Sequence, residues 1–128
     1  MTIRIATITI EAHAPSILAD FWRALLDYHE VSHPTASIRI DDPTGQGPTI
    51  LFQPGSPKDS NTKNRVHFDL RPPDHHSAVE RALRLGATQR AIGQTGDESW
   101  TVLADPEGNE FCILQSIHDL ERSATNQP

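Results

Sequence analysis

The chain repeats itself at an interval of about 60 residues, and that repeat limits its folds more than any other feature. TITIEA (7–12) and HFDLRP (67–72) stand 60 residues apart, RAL at 23–25 and 81–83 stands 58 apart, and DPTG (42–45) and DPEG (105–108) stand 63 apart. Each match alone is chance, but three matches within five residues of one offset read as an internal duplication. Whatever the chain builds, it builds twice, in the same order of elements.

Hydrophobic periodicity supplies the elements. Residues 4–12 alternate, with Ala6, Ile8 and Ile10 on one face and Thr7, Thr9 and Glu11 on the other, as in a half-buried strand; Ile5 is out of phase. A helix follows over 14–28. Pro15 suits its first turn, and Ile17, Phe21, Leu25 and Tyr28 recur at helical spacing with Leu18 and Trp22 beside them. Short strands are expected at 28–33, 36–41 and 48–54, the last two joined by the turn DDPTGQG (41–47). Residues 54–64 are polar and turn-rich. The pattern then restarts. In 65–71, Val66, Phe68 and Leu70 oppose Arg65, His67, Asp69 and Arg71. A second helix is expected from the N-cap Asp74 to the C-terminal Gly86, with Ala78, Val79, Ala82, Leu83 and Leu85 as its apolar side. Strands at about 87–92, 98–104 and 109–116 complete it. The order is β-α-β-β-β, a linker, then β-α-β-β-β.

The 128 residues suffice for one domain with its own core, without a disulfide or metal staple. A formal charge of −6 argues against nucleic acid, which needs a basic face, and against an anionic membrane surface. No run approaches 18 apolar residues, and the N-terminus lacks the apolar core of a signal peptide. With one cysteine, Cys112, no internal disulfide can form, so a reducing cytoplasm is expected. Residues 119–128 lose the apolar pattern and are expected to fray.

The duplicated module, with FWRALLD, RVHFDL, the helix end LGA and the strand–turn–strand VLADPEGNEFCIL, resembles the vicinal oxygen chelate superfamily of glyoxalases, bleomycin-resistance proteins and extradiol dioxygenases. It looks most like small bacterial glyoxalase-like proteins. The resemblance implies an α+β fold in which two βαβββ modules form a cup-shaped, mixed or antiparallel sheet with helices outside. It implies a single domain over 1–118: module one at about 3–54, a linker at 55–64 and module two at about 65–117. It also implies a homodimer.

Superfamily metal ligands sit on the first and last strands of each module, usually His or Gln first and Glu last. Carried onto this chain, those positions are Thr7 and Ile50 in module one and His67 and Cys112 in module two, taking Gln53 and Gln115 as equivalent. Only His67 is a usual ligand, and no metal and no cofactor are expected. His67 and Cys112 would be two ligands of a soft zinc site lacking an evident third, with Glu11 or Asp69 as recruits.

The cup is then expected to hold a small organic ligand. His67 is the candidate acid or base, tuned by Asp69 on the same strand face. Thr7, Thr9, Ile50, Phe52, Trp100, Cys112 and Leu114 are the candidate ligand contacts, with Trp100 able to stack on a flat molecule. The adjacent His75 and His76, and His13, His29 and His33, read as solvated side chains without metal-ligand spacing. Phosphate-loop, nucleophile-elbow and C-x-x-C motifs are missing from the sequence. Three functions stay open: a metal-independent isomerase, lyase or cyclase; a non-catalytic antibiotic-type binding and resistance protein; and a metal-dependent lyase or dioxygenase with unusual ligands.

Overall fold

The computed structural model describes residues 1–59, 64–90 and 100–118. The chain separates into two compact units, Met1–Thr62 and Lys63–Pro128, each built on its own copy of the repeated pattern. The architecture is α+β, two βαβββ-type modules with a mixed four-stranded sheet in each.

In the first unit, β1 (Thr7–Ala12) leads into α1 (Pro15–Leu26), then β2 (His29–Val31), β3 (Ile38–Asp41) and β4 (Thr49–Pro54). The strand order is β1-β4-β3-β2, with β1 parallel to β4 and the other pairs antiparallel. Pro15 occupies the first turn of α1, where a missing N–H costs nothing, and Asp27 ends the helix in the left-handed region at φ 57°. The helix buries Leu18, Ala19, Phe21 and Trp22 against Ala12, Ile40, Ile50 and Phe52, and the Phe21 and Trp22 rings meet edge to face at 5.2 Å. Ile17, expected on the buried stripe, is instead 61% exposed; the stripe runs one position later, through Leu18 and Trp22.

In the second unit, β5 (Phe68–Leu70) precedes α2 (His75–Leu85), β6 (Thr88–Gln89), β7 (Trp100–Ala104) and β8 (Glu110–Leu114). The order β5-β8-β7-β6 repeats the first sheet, again with a parallel first–last pair. Asp74 caps α2 by accepting the Ser77 N–H at 2.9 Å. Leu103, Phe111 and Ile113 are buried, and α2 packs against β8. Of the apolar side expected for α2 only Ala82 is fully buried, while Leu83 and Leu85 stay partly exposed. Of the apolar face read from 65–71, Val66 is exposed, while Phe68 and Leu70 are half-buried.

DPTG and DPEG make the same turn. The glycine N–H bonds back to the aspartate carbonyl (Gly45 to Asp42 at 3.0 Å, Gly108 to Asp105 at 2.9 Å), and both glycines have positive φ, 74° and 86°. Expected strand residues 91–92 and 98–99, linker residues 60–63 and the tail 119–128 lie outside the described residues. Among the described residues no helix is long and apolar enough to cross a membrane.

Candidate functional site

In a strand, neighbours point to opposite faces, so pairing register decides which side chains meet. In the second unit Asp69 pairs with Cys112, Val102 with Cys112, and Trp100 with Leu114. These side chains share the face opposite buried Phe111 and Ile113. His67, just before β5, joins them: its Nε2 lies 3.1 Å from Asp69 Oδ1, both side chains being about half exposed. The Cys112 sulfur lies within 4.8 Å of the Asp69 carboxylate and the His67 imidazole. Thus His67, Asp69, Trp100, Cys112 and Leu114, all expected at the site, lie on one sheet face.

Burial, first, pushes the Cys112 thiol above its ordinary pKa; the Asp69 charge, the hydrogen bond to Asp69 and the Glu110 charge push the same way. The thiol therefore rests protonated and is a weak nucleophile.

The first unit carries different side chains at the equivalent places. Thr9 pairs with Leu51 as Asp69 pairs with Cys112, and Thr7 stands where His67 stands. Thr7 and Thr9 do lie on the exposed face, as expected. Ile50 and Phe52 do not, and this corrects the sequence reading: they pair with Ile8 and Ile10 and are 3% and 0% exposed, on the α1 side. Aligning Gln53 with Gln115 sets an offset of 62, whereas Ile8–Ile50 matching Phe68–Phe111 sets 61. One residue of slip turns every side chain over. The true counterpart of Cys112 is Leu51. The exposed face of this sheet also holds an ion-pair network, in which Arg39 Nε and Nη2 donate to Asp41 at 3.0 and 2.9 Å and the Thr49 hydroxyl donates at 2.7 Å.

His75, expected as a solvated surface residue, is half-buried and bridges two strands: Nδ1 lies 2.8 Å from the Leu114 carbonyl and Nε2 lies 2.8 Å from the Thr101 hydroxyl. A carbonyl only accepts, so Nδ1 carries the proton, and in the neutral ring Nε2 accepts from Thr101. His75 thereby ties the start of α2 to the end of the site strand β8. Its position one residue after the helix cap was visible in the sequence; its partners, 26 and 39 residues away, were not. His76 is the exposed member of the pair and faces Glu80 at 3.1 Å.

The superfamily's metal ligands can be tested against these donors. Thr7 and Leu51 offer no strong ligand, so a four-ligand set drawn from both modules does not fit this chain. The second unit alone does offer three donors, an imidazole nitrogen, a carboxylate oxygen and a sulfur from His67, Asp69 and Cys112, all within 4.8 Å of one another. That set suits a soft, four-coordinate ion with one open position rather than a hard, six-coordinate one. Of the two recruits that the sequence offered, Asp69 is the third donor, and Glu11 is not part of the set.

The fold recurs in proteins of this superfamily. A glyoxalase/bleomycin resistance protein/dioxygenase family enzyme from Burkholderia phytofirmans superposes with a TM-score of 0.67 at 19% identity, over 90% of this chain and 100% of that one. A fosfomycin resistance protein from Mesorhizobium loti gives 0.68 at 13% identity, over 95% and 99%. An antibiotic binding protein from a Streptomyces species gives 0.63 at 14% identity, over 90% and 97%. No curated protein sequence matches the chain. Residues 7–114 match the family model for the glyoxalase-like domain, from the first residue of β1 to the last of β8. The chain belongs to the glyoxalase-like domain family and has the fold of the vicinal oxygen chelate proteins.

Proposed function

We propose that the exposed sheet face of the second unit binds a small organic molecule and that His67, held by Asp69, moves a proton on it, in an isomerase, lyase or cyclase type of reaction that needs no metal. The observation that carries this reading is the 3.1 Å contact between His67 Nε2 and Asp69 Oδ1, on the sheet face that also carries the apolar Trp100 and Leu114. Histidine is the side chain best suited to take and return a proton near neutral pH. A carboxylate accepting the Nε2–H holds the ring and leaves Nδ1 as the basic atom, which is the orienting role carboxylates play beside catalytic histidines. When His67 becomes an imidazolium, the same carboxylate compensates its charge. Trp100, 40% exposed, offers a stacking surface next to Leu114.

A second reading, capture of an antibiotic-like molecule without chemistry, is favoured by the partly exposed Trp100 and by the plain Thr7, Thr9 and Leu51 set in the first unit. One experiment separates the two. A panel of small carbonyl and aromatic compounds is screened by tryptophan fluorescence, and each binder is then assayed for turnover. The catalytic reading expects His67→Ala to lower kcat by roughly 10²-fold or more while binding persists. A ligand that binds tightly and is never converted, with the same affinity for His67→Ala, would leave only the capture function.

A further inference from the structure

We propose that His75 is a positioning residue for the candidate site: from behind the sheet it fixes the pair of strand residues, Trp100 and Leu114, that form the apolar part of the ligand face. The inference rests on the reading that this face binds a small organic molecule. Leu114 is the last residue of β8 and pairs with Trp100, the last rung of the β7–β8 ladder among the described residues. A residue at the end of a strand is held on one side only and is among the first to open. The preceding rung pairs Thr101 with Ile113, whose side chains point to the opposite face, where Ile113 is buried. His75 is the first residue of α2 and bonds into both rungs from that opposite face. Its Nδ1 meets the Leu114 carbonyl at 2.8 Å and its Nε2 meets the Thr101 hydroxyl at 2.8 Å. The stacking surface of the site is therefore held from the side that a ligand does not reach.

Histidine suits this place because its ring carries a polar atom on each of two edges. Nδ1–H donates to the carbonyl and the neutral Nε2 accepts from the hydroxyl, so one rigid plane joins the backbone of β8 to a side chain of β7. Both bonds are part-buried, where water competes poorly for the same groups. The neighbouring His76 is exposed and turned to Glu80, so it offers no substitute. The two histidines of the second unit then divide the work. His67 acts on the reacting atoms, whereas His75 sets where the apolar part of a ligand lies. Displacing a positioning group by about an ångström is enough to weaken the arrangement it serves.

The test uses the full-length protein and begins with acrylamide quenching of tryptophan fluorescence, which needs no ligand. Trp22 is 2% exposed and Trp100 is 40% exposed, so the quenchable fraction reports Trp100. His75→Ala and Thr101→Val are each expected to raise the quenching constant roughly twofold as the end rung loosens, with the far-ultraviolet circular dichroism still native. Thr101→Ser keeps the hydroxyl and is expected to give the wild-type value. The double variant His75→Ala/Thr101→Val is expected to add little to His75→Ala alone, because both changes break one link. His76→Ala is the control and is expected to leave quenching unchanged. A role confined to stability would lower the urea midpoint and leave native-state quenching as in wild type; that result would overturn the proposal, as would Thr101→Ser behaving like Thr101→Val. Binding is then read with naphthol, a flat uncharged probe, by its NMR line width. His75→Ala is expected to weaken naphthol binding roughly fivefold through the loosened aromatic surface, and equal affinity for wild type and variant would overturn the proposal. Failure of naphthol to bind wild type would count against the ligand face itself, with quenching left to decide the role of His75. For any compound that wild type converts, His75→Ala is expected to raise KM and His67→Ala to lower kcat, so the positioning role and the proton-transfer reading can each fail alone.

Discussion

Ile113 and Leu114 are neighbours on β8, carry the same number of carbon atoms, and point to opposite faces of the sheet. Truncating each to alanine removes three carbons from two different environments. Ile113 is 1% exposed. Losing three buried carbons at about 0.8 kcal/mol each, plus a cavity contribution, costs about 3–4 kcal/mol. Leu114 is half-buried on the open face, where no closed cavity forms, and the cost there is about 1 kcal/mol or less. With a urea dependence of about 1.5 kcal/mol per molar, the unfolding midpoint falls by about 2 M for Ile113→Ala and by about 0.5 M for Leu114→Ala. Ligand capture is expected to show the reverse order. Leu114→Ala removes apolar contact beside Trp100 and weakens binding roughly five- to tenfold, about 1–1.4 kcal/mol, while Ile113→Ala, where still folded, leaves affinity unchanged. The assay is urea unfolding followed by far-ultraviolet circular dichroism, paired with fluorescence titration of whichever compound the screen returns. Equal destabilisation by the two truncations would refute the assignment of faces. A binding loss confined to Ile113→Ala would refute the site.

Acid stability tests the first unit. The hydrogen bond from Arg39, more than any other contact, holds the Asp41 carboxyl below the ordinary aspartate range; burial opposes this, and the Thr49 hydroxyl and the charges of Arg39 and His29 reinforce it. A depressed carboxyl stabilises the fold above the unfolded-state pKa of about 3.9 and loses that contribution as pH falls through its lower folded value. Wild type is therefore expected to lose urea stability more steeply below about pH 4 than Asp41→Asn, and parallel profiles would count against the network. Assembly is tested by light scattering, with a homodimer of twice the chain mass expected at micromolar concentration. The motive is the exposed Ile3 and Ile5 that lead into β1, an edge strand of its own sheet. A monomer at all concentrations would remove it.

The sequence alone determined the duplication, the order of elements and the family, because these rest on local patterns. Alternation marks strands, the spacing of Leu18 and Trp22 marks a helix, and Asp-Pro-x-Gly marks a turn. It also determined that His67 and Asp69 share a face, since residues two apart in a strand must. What joins distant segments was decided only by the tertiary structure. The connection after DPTG is two residues longer than the one after DPEG, counted to the buried Ile50 and Phe111, so an equivalence of Gln53 with Gln115 is one residue out of register and puts Ile50 and Phe52 on the wrong face. Alternation in TILFQ favours Ile50 and Phe52 as the buried face, since the other phase would bury Thr49 and Gln53, but the Gln53–Gln115 equivalence overrode that local signal. His75 looked like a solvated histidine because its partners are strand groups that only folding brings to the start of α2. Asp69 became the third donor for the same reason: its distance to Cys112 is set by the parallel pairing of β5 with β8, across 43 residues of chain that carry no record of where they return.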